Sequence, residues 1–203
     1  MSKQSQLNQL NAKMSACSLC ALRPGCMRVV PGAGSAEAEI MFIGEAPGKK
    51  EDETGVPFVG AAGKFLDEML STIKLKREEV YIANVCKCRP PANRDPSPEE
   101  IKLCWPWLLA QIKIIKPKLI VTLGRHSMER FLPGQKISEM HGHVMRREIE
   151  GIGPQIFYTL YHPAAALYNG SMRETLIKDF KRIPKILKEI KSDNSCKNEL
   201  SQD

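Results

Sequence analysis

Three short apolar segments, each separated from the next by a stretch of helical periodicity, constrain the fold of this chain most strongly. They lie at 39–43, 80–83 and 119–123. Strands that alternate with helices are typical of a parallel sheet with helices on both faces. Two further strands, at 144–149 and 155–160, have the pattern of a hairpin. We therefore expect an α/β fold, a three-layer α/β/α sandwich around a mainly parallel central sheet.

The chain has the length of one domain. Its 203 residues, of which 42% are apolar, are enough to bury a core. We predict a single domain over 1–191, closed by a basic amphipathic helix at 173–191, and a polar, disordered tail at 192–203. No apolar run is long enough to span a bilayer, and the polar N-terminus does not resemble a signal peptide. We therefore expect a cytoplasmic protein without a membrane partner.

The charge of the chain favours a polyanionic partner. Lysine and arginine outnumber aspartate and glutamate by 30 to 23, which gives a net charge of +7. Each phosphate that a basic side chain neutralises releases counterions, so such a surface binds nucleic acid readily. Charge alone does not select nucleic acid, because many proteins of other functions are equally basic.

The cysteine spacing indicates a metal centre. Seven cysteines, an odd number, point to metal ligands or free thiols in a cytoplasmic protein rather than to disulfides. Cys17 and Cys20 form a CxxC pair, and Cys88 and Cys104 would complete four thiolate ligands if the fold brings them together. Spacing does not separate zinc from a [4Fe–4S] cluster, and two reduced pairs without metal are the alternative. Cys26 and Cys86 lie close enough in the sequence to be rival ligands, whereas Cys196 in the polar tail is expected to be a free thiol.

Three loops of unusual composition begin where predicted strands end, at 44–48, 84–94 and 162–167. Ligands of open parallel sheets gather beyond the carboxyl ends of the strands, so we expect the site at this edge. Gly60 and Gly63, at the start of a predicted helix, could cradle a phosphate with free amides. The chain has no GxxxxGK[ST] motif, so nucleotide hydrolysis finds no support and a DNA phosphate suits these glycines better.

Four motifs, in this order and spacing, resemble the family 4 uracil-DNA glycosylases. They read CxxC from Cys17, GEAPGxxEDxxGxPFVGxAG from Gly44, NxxKCRPPxNRxP from Asn84 and HPAAAL from His162. The match covers 17–180, nearly all of the foldable chain. The resemblance implies base-excision repair, in which the enzyme flips deoxyuridine out of DNA, hydrolyses its N-glycosidic bond and leaves an abasic site. It also implies a structural [4Fe–4S] cluster, with zinc as the alternative occupant.

The resemblance implies which residues bind the base. Phe58 would stack on the flipped uracil. Asn84 would accept from N3–H of uracil and donate to O4, a pattern that cytosine reverses. His162 would donate to O2 as a neutral imidazole, where negative charge develops on the departing base. The GEAPG loop would supply further substrate contacts: Gly44, Glu45 and Ala46.

The residue that activates the attacking water is open on the sequence. Relatives without a cluster carry an Asp in a GQDPY loop, together with a Tyr that excludes thymine. This chain has Ala46 and Gly48 at those places. Glu45 and Glu51 are the candidate substitutes. We favour Glu51, with Asn93 as a helper.

The resemblance also suggests how DNA is held. Arg89 and Arg94 would contact phosphates from a loop that the cluster organises, with Gly60 and Gly63 as further backbone contacts. Leu167 would be a wedge in the minor groove, although packing at a helix start explains it equally well. We expect a monomer that acts on single- and double-stranded DNA, and a sliding clamp is a possible further partner that no motif identifies.

Two other functions stay open at this point. The chain could be a non-catalytic, metal-bearing module that binds nucleic acid, in which GEAPG and HPAAAL are ordinary loops. It could also be a glycosylase for another deaminated base. Release of uracil from a single strand, tested beside other modified bases, separates these two functions from uracil excision.

Overall fold

The computed structural model describes residues 1–199, with side chains as far as Asp193. In this part of the chain six strands form one sheet. The strands are β1 Ala33–Gly34, β2 Ile40–Gly44, β3 Tyr81–Asn84, β4 Leu119–Leu123, β5 Val144–Ile149 and β6 Gly153–Leu160. The helices are α1 Lys3–Ser15, α2 Lys49–Thr54, α3 Ala61–Thr72, α4 Pro98–Ile115, α5 Arg125–Phe131, α6 Ile137–Met140, α7 Ala165–Tyr168, α8 Gly170–Phe180 and α9 Ile183–Glu199.

The strand order is β1-β3-β2-β4-β6-β5, and the four central strands are parallel. The short β1, in a segment that the sequence analysis left outside the sheet, and the hairpin strand β5 are antiparallel edges. The predicted mainly parallel sheet is therefore confirmed. In the register, Gly44 at the end of β2 faces Asn84 at the end of β3. The carboxyl ends of the parallel strands thus meet at one edge.

Helices cover both faces of the sheet and form two separate cores. Strands β2, β3 and β4 are buried over their whole length, and β6 over its last four residues, because helices cover both faces there. On one side α1 and α4 pack on the sheet through Leu7, Leu108 and Ile112. On the other side α3, α8 and α9 pack through Phe65, Leu66, Leu176, Phe180 and Ile186. The result is the predicted three-layer sandwich.

Helix α4 begins with a capping box and brings a thiol and an amide side chain into the core. Ser97 Oγ accepts a hydrogen bond from the Glu100 N–H, while the Glu100 carboxylate accepts from the Ser97 N–H at 2.7 Å. This capping box supplies partners for amides that a helix start leaves free. The helix buries Cys104 and, seven residues later, Gln111, so both side chains lie on the same face.

The C-terminal region differs from its prediction in two ways. The single helix expected at 173–191 is two helices, α8 and α9, which are separated at Lys181 and Arg182. Pro184, which has no N–H and clashes with the carbonyl four residues earlier, ends one helix and suits the first turn of the next. Helix α9 continues to Glu199, so residues 192–199 of the predicted tail are helical, and 200–203 lie outside the described residues. No helix of the described chain is long and apolar enough to cross a membrane.

Candidate active site

A pocket of about 390 Å³ lies at the edge of the sheet where β2, β3 and β6 end. This is the position that the parallel arrangement of the strands predicts. The loops after these strands, together with the segment between β2 and α3, supply the predicted catalytic and base-binding residues of its lining: Glu45, Ala46, Glu51, Phe58, Asn84, Asn93 and His162. Gly44 lies behind the lining, against Asn84 and Phe58.

Asn84 presents an unpaired amide oxygen at this pocket. It is the last residue of β3 and is only 2% exposed. In the part of the chain that the structure describes, Asn84 Oδ1 has no hydrogen-bond donor. A buried acceptor without a partner costs on the order of 1–3 kcal/mol, so proteins seldom keep one without a reason. Because Asn84 lines the pocket, an N–H group of a bound ligand could supply the missing donor.

Gly44 leaves the space in which Asn84 and Phe58 meet. A Cβ at this position would overlap Asn84 Oδ1 and would lie 2.7 Å from Phe58 Cζ. We expect Gly44→Ala to push both side chains into the pocket and to weaken substrate binding by at least about tenfold, equivalent to about 1.4 kcal/mol. The measurement is the dependence of the single-turnover rate on protein concentration.

Gly25→Ala is the matched control for this prediction. A Cβ at Gly25 meets no atom within 4 Å, so the substitution adds the same methyl group in open space. Its concentration dependence should equal that of the wild-type protein. An unchanged dependence for Gly44→Ala as well would contradict the proposed close packing behind the pocket.

His162 is a neutral hydrogen-bond donor in this structure. Its Nδ1 accepts from the Ala164 N–H at 3.1 Å, which places the ring proton on Nε2. Burial, reinforced by the nearby His126, lowers the pKa of His162 to about 4. The ring of Phe58 lies 5.7 Å away, centroid to centroid. The pocket therefore combines one unpaired acceptor, Asn84 Oδ1, with a neutral donor and a buried aromatic ring.

The position of Phe58 is fixed by an arginine that the sequence analysis did not identify. Phe58 has a φ of 53°, in the left-handed region that is unfavourable for a side chain of this size. The Arg77 guanidinium donates to the carbonyl oxygens of Pro57 and Phe58 and pairs with Asp67. These contacts offset the backbone strain and hold the ring in the pocket wall.

The carboxylate of Glu51 is fixed by backbone amides at the N-terminus of α3. Its Oε1 accepts from the amides of Val59 and Gly60, each at 2.8 Å. Oε2 has no hydrogen-bond partner among the described residues, and Glu51 contributes to the pocket lining. The carboxylate is thus fixed at one oxygen and available to a water molecule at the other.

The predicted phosphate cradle at the start of α3 needs a correction. The Gly60 amide donates to Glu51, so it is not free for a phosphate. Gly63 is buried, and a Cβ there would overlap the Phe58 carbonyl. Both glycines therefore serve the close approach of the backbone around Glu51 and Phe58, and this geometry gives no support to phosphate binding.

Glu45 lines the pocket and also belongs to a cluster of titratable side chains with His126 and Asp95. Its Oε1 is 3.7 Å from His126 Nδ1, and His126 Nε2 is 3.3 Å from Asp95 Oδ2. Burial and the negative charge of Asp95 raise the pKa of Glu45 to about 7. The sequence analysis did not identify His126 or Asp95. Gly124 directly follows β4 and lies two residues before His126. This glycine was the sequence signal that could have placed His126 at the same edge of the sheet.

The loop after β3 holds its arginines in different ways. The Arg94 guanidinium forms two hydrogen bonds to the Glu100 carboxylate, at 2.8 and 2.7 Å, and this lowers the pKa of Glu100 to about 2. Arg94 thus fixes the loop to α4, which the prediction of a phosphate contact did not include. Arg89 is partly exposed, and its Nε donates to Asn93 Oδ1 at 2.7 Å.

The loop after His162 exposes apolar side chains near the pocket. Leu167 is 45% exposed and its neighbour Tyr168 is 90% exposed, on the short helix α7. Ala166, one residue earlier, is buried instead. Packing at a helix start thus accounts for Ala166, whereas Leu167 is available to a ligand outside the pocket.

A second cavity is lined by the four predicted metal ligands, Cys17, Cys20, Cys88 and Cys104. They come from the segment after α1, the loop after β3 and helix α4. The thiol of Cys86 lies against Cys104 and, with the Lys87 N–H, lowers the pKa of Cys104 to about 7. Cys26 lies against Cys88. These two neighbours are not in the cavity lining, and the side chain of Cys196 lies outside the described residues. The four-cysteine donor set fits a metal centre.

Comparison with known proteins gives concordant matches. The sequence model of the uracil DNA glycosylase superfamily matches residues 31–191. The chain is 46% identical to the type-4 uracil-DNA glycosylase of Archaeoglobus fulgidus, over 87% of this chain and 91% of the relative. It is also 46% identical to that of Sulfurisphaera tokodaii, over 87% and 83%, and 40% identical to that of Thermotoga maritima, over 88% and 93%.

Proposed function

The chain belongs to the uracil DNA glycosylase superfamily, and from this premise we propose that it hydrolyses the N-glycosidic bond of deoxyuridine in DNA. The products are free uracil and an abasic site. The observation that carries this proposal is the unpaired Asn84 Oδ1, which shares one pocket with the neutral donor His162. The substrate is a base with an N–H between two carbonyl groups.

Base recognition follows from the polarity of the Asn84 amide. Its Oδ1 accepts from N3–H of uracil, and its amide nitrogen donates to O4. Cytosine has no proton on N3 and carries an amino group in place of O4, so both contacts would be lost or repulsive. One wrongly matched base edge costs about 1–3 kcal/mol, and more where no water can replace the contact. Phe58 stacks on the face of the base.

Cleavage of the N-glycosidic bond leaves negative charge on the base and positive charge on the sugar, and the pocket has one group that can stabilise each. As the C1′–N1 bond breaks, its electron pair stays on uracil and negative charge collects on O2, to which His162 Nε2–H donates. The sugar becomes oxocarbenium-like, and water attacks C1′. The Glu51 carboxylate orients this water and accepts its proton as the new C–O bond forms. Asn93 lines the same pocket and assists the water.

The pH profile distinguishes the two carboxylates. If ionised Glu45 were the base, the rate should rise as pH increases through about 7, because its carboxyl group is largely protonated below that value. Our assignment of Glu51 predicts that the wild type and Glu45→Gln have the same profile. The measurement is the single-turnover rate of both proteins from about pH 6 to 8. A rise of about tenfold across this range, absent in Glu45→Gln, would assign the base to Glu45 instead.

We propose that Cys17, Cys20, Cys88 and Cys104 hold a [4Fe–4S] cluster, with zinc as the alternative occupant. The support is the common cavity and a set of four thiolates, which both centres accept. The cluster would supply a rigid anchor rather than a reaction step. Two of its ligands bracket the loop that carries Asn93 and Arg94 to the pocket.

Replacement of single cysteines should distinguish the metal ligands from the cysteines that only lie beside them. Cys88→Ala is expected to lose most of its iron and visible absorption, because Cys88 lines the cavity. Cys86→Ala is the matched control, since Cys86 is equally buried and two residues away but is not in the lining. Iron analysis of the purified proteins measures both. Iron loss from Cys86→Ala with retention in Cys88→Ala would exchange the two assignments.

For binding to DNA we propose that Leu167 enters the strand as the base leaves and that Arg89 contacts a phosphate. The support is the exposure of Leu167 near the pocket and the position of the partly exposed Arg89, whose guanidinium contacts the pocket residue Asn93. We also propose that the protein acts as a monomer, because one chain supplies the groups assigned to base, sugar and water.

A single-stranded oligonucleotide with one uracil tests the function. Treatment with the protein and then with alkali should cleave the strand at the uracil, whereas the same strand with cytosine or thymine should stay intact. Tight binding without cleavage would support a non-catalytic nucleic-acid-binding module. Cleavage at hypoxanthine but not at uracil would replace the proposed substrate.

A further inference from the structure

Lys87 is a buried lysine that the proposed reaction does not use. It lies between Cys86 and Cys88 and is 2% exposed. Its Nζ donates to the Asn84 backbone oxygen and to Gln111 Oε1, each at 2.7 Å. Burial of an ammonium group is costly unless other groups compensate for the lost hydration and for the charge.

The oxygen partners of Lys87 compensate only for the hydration. Both are neutral amide groups, and Gln111 is fixed in turn by donation to the Pro31 carbonyl and the Tyr81 hydroxyl, at 2.7 and 3.0 Å. Lys87 forms no ion pair with a carboxylate in the described part of the chain, and three cysteines lie next to it: Cys86 and Cys88 in the sequence, and Cys104 at the Lys87 N–H. Negative charge on the cysteine side would therefore compensate for the buried ammonium group.

The cysteine cavity lies directly against Lys87. Lys87 contributes to its lining together with the four proposed ligands, and the Lys87 N–H donates to Cys104 Sγ at 3.2 Å. Four thiolates around an iron–sulfur core carry a net negative charge. This charge is of the sign that the buried ammonium lacks.

The ammonium group of Lys87 contacts Asn84, the residue that is proposed to recognise the base. Beyond Asn84 the chain is fixed to the β2 side by hydrogen bonds from Val85 N to the Gly44 carbonyl, at 3.0 Å, and from Cys86 N to the Glu45 carbonyl, at 2.9 Å. Lys87 adds the contact to the carbonyl of Asn84 itself. Lys87 thus contacts Cys104 through its backbone N–H and the Asn84 carbonyl through its ammonium group.

We propose that Lys87 is a positioning residue that couples the cysteine-held cluster to base recognition. The negative charge of the cluster holds the ammonium group in the core, and the ammonium group holds Asn84 in the orientation that accepts from uracil. The coupling rests on the proposed function, because it assumes both the cluster and the uracil pocket.

Lys87→Met tests the coupling with two readouts. A nearby positive charge favours the reduced cluster, which carries one more negative charge, so its removal should lower the midpoint potential in spectroelectrochemical titration. The single-turnover rate of uracil release should fall by about 10- to 100-fold, because the backbone that carries the Asn84 side chain is no longer fixed by the ammonium group. Lys136→Met removes an exposed lysine of the same charge and should change neither value. If only one of the two readouts moves, or neither, the coupling is refuted.

Lys87→Arg keeps the inference testable if Lys87→Met does not fold. It retains the charge but spreads its donors over a planar group, so the potential should stay near that of the wild type while the rate falls. A lowered potential, or an unchanged rate, would overturn the proposal. Iron content and uracil release of the wild-type protein are measured first. A wild type without activity would refute the proposed function, and one without iron would refute the proposed cluster. An active iron protein with indifferent Lys87 variants would refute only the coupling.

Discussion

Replacement of His162 with alanine is expected to slow uracil release by about 100- to 1,000-fold, the loss typical when one donor to a developing negative charge is removed. The donor is Nε2–H, since Nδ1 accepts from the Ala164 amide. The step affected is bond cleavage, so the loss should persist when the protein is in excess over DNA. Single-turnover measurement at saturating protein separates this effect from weaker binding.

The pH dependence gives a second test of the neutral imidazole. Burial lowers the pKa of His162 to about 4, so the ring stays neutral over about pH 5 to 8. Its protonation should therefore reduce the rate only as the pH falls towards 4. His143→Ala, which removes an exposed histidine outside the pocket, is the control and should behave as the wild type. An unaltered rate in His162→Ala would exclude His162 from the chemistry.

Replacement of Glu51 with glutamine should lower the rate of base release by about 100-fold or more, the usual contribution of a positioned acid or base. Glutamine keeps an oxygen that can accept from the Val59 and Gly60 amides, so the loop should keep its conformation. It cannot take a proton from water. Glu53→Gln, on the same helix but more exposed, is the matched control and should have the wild-type rate.

A comparison with Glu51→Ala separates the chemical role of Glu51 from its structural role. Alanine removes the acceptor as well as the charge, so this variant should also lose binding as the Phe58 segment loosens. Single-turnover rates and apparent dissociation constants for a uracil-containing strand measure the two effects. If Glu51→Gln retained the full rate while Glu51→Ala did not, Glu51 would only support the loop, and another carboxylate would orient the water.

The layers of the fold and the location of the pocket could be predicted because they follow from local patterns. The apolar strand segments and the helical spacing between them define a parallel sheet, and a parallel sheet places loops such as those at Asn84 and His162 at one edge. The two C-terminal helices were predicted as one because amphipathic spacing continues across the break. Pro184 was the local signal that outweighed this spacing.

The supporting contacts of the site could not be predicted, because they join residues far apart in the sequence. Arg77 reaches the Phe58 carbonyl across 19 residues, and Lys87 reaches Gln111 across 24. Nothing in the local pattern of either basic residue distinguishes it from a solvated one. The Gly60 amide, at the start of α3, was expected to be free. It donates instead to the carboxylate of Glu51, which belongs to helix α2.

The strained backbone at Phe58 has a consequence for turnover. Because Arg77 fixes the ring before any DNA is present, the cost of ordering this wall falls on folding rather than on binding. A wall that is rigid when empty fits the departing base as well as the arriving one. Free uracil should then dissociate slowly and act as a competitive product inhibitor. On a DNA strand with many lesions, release of the excised base, rather than closure of a loop, would be the rate-limiting step of turnover.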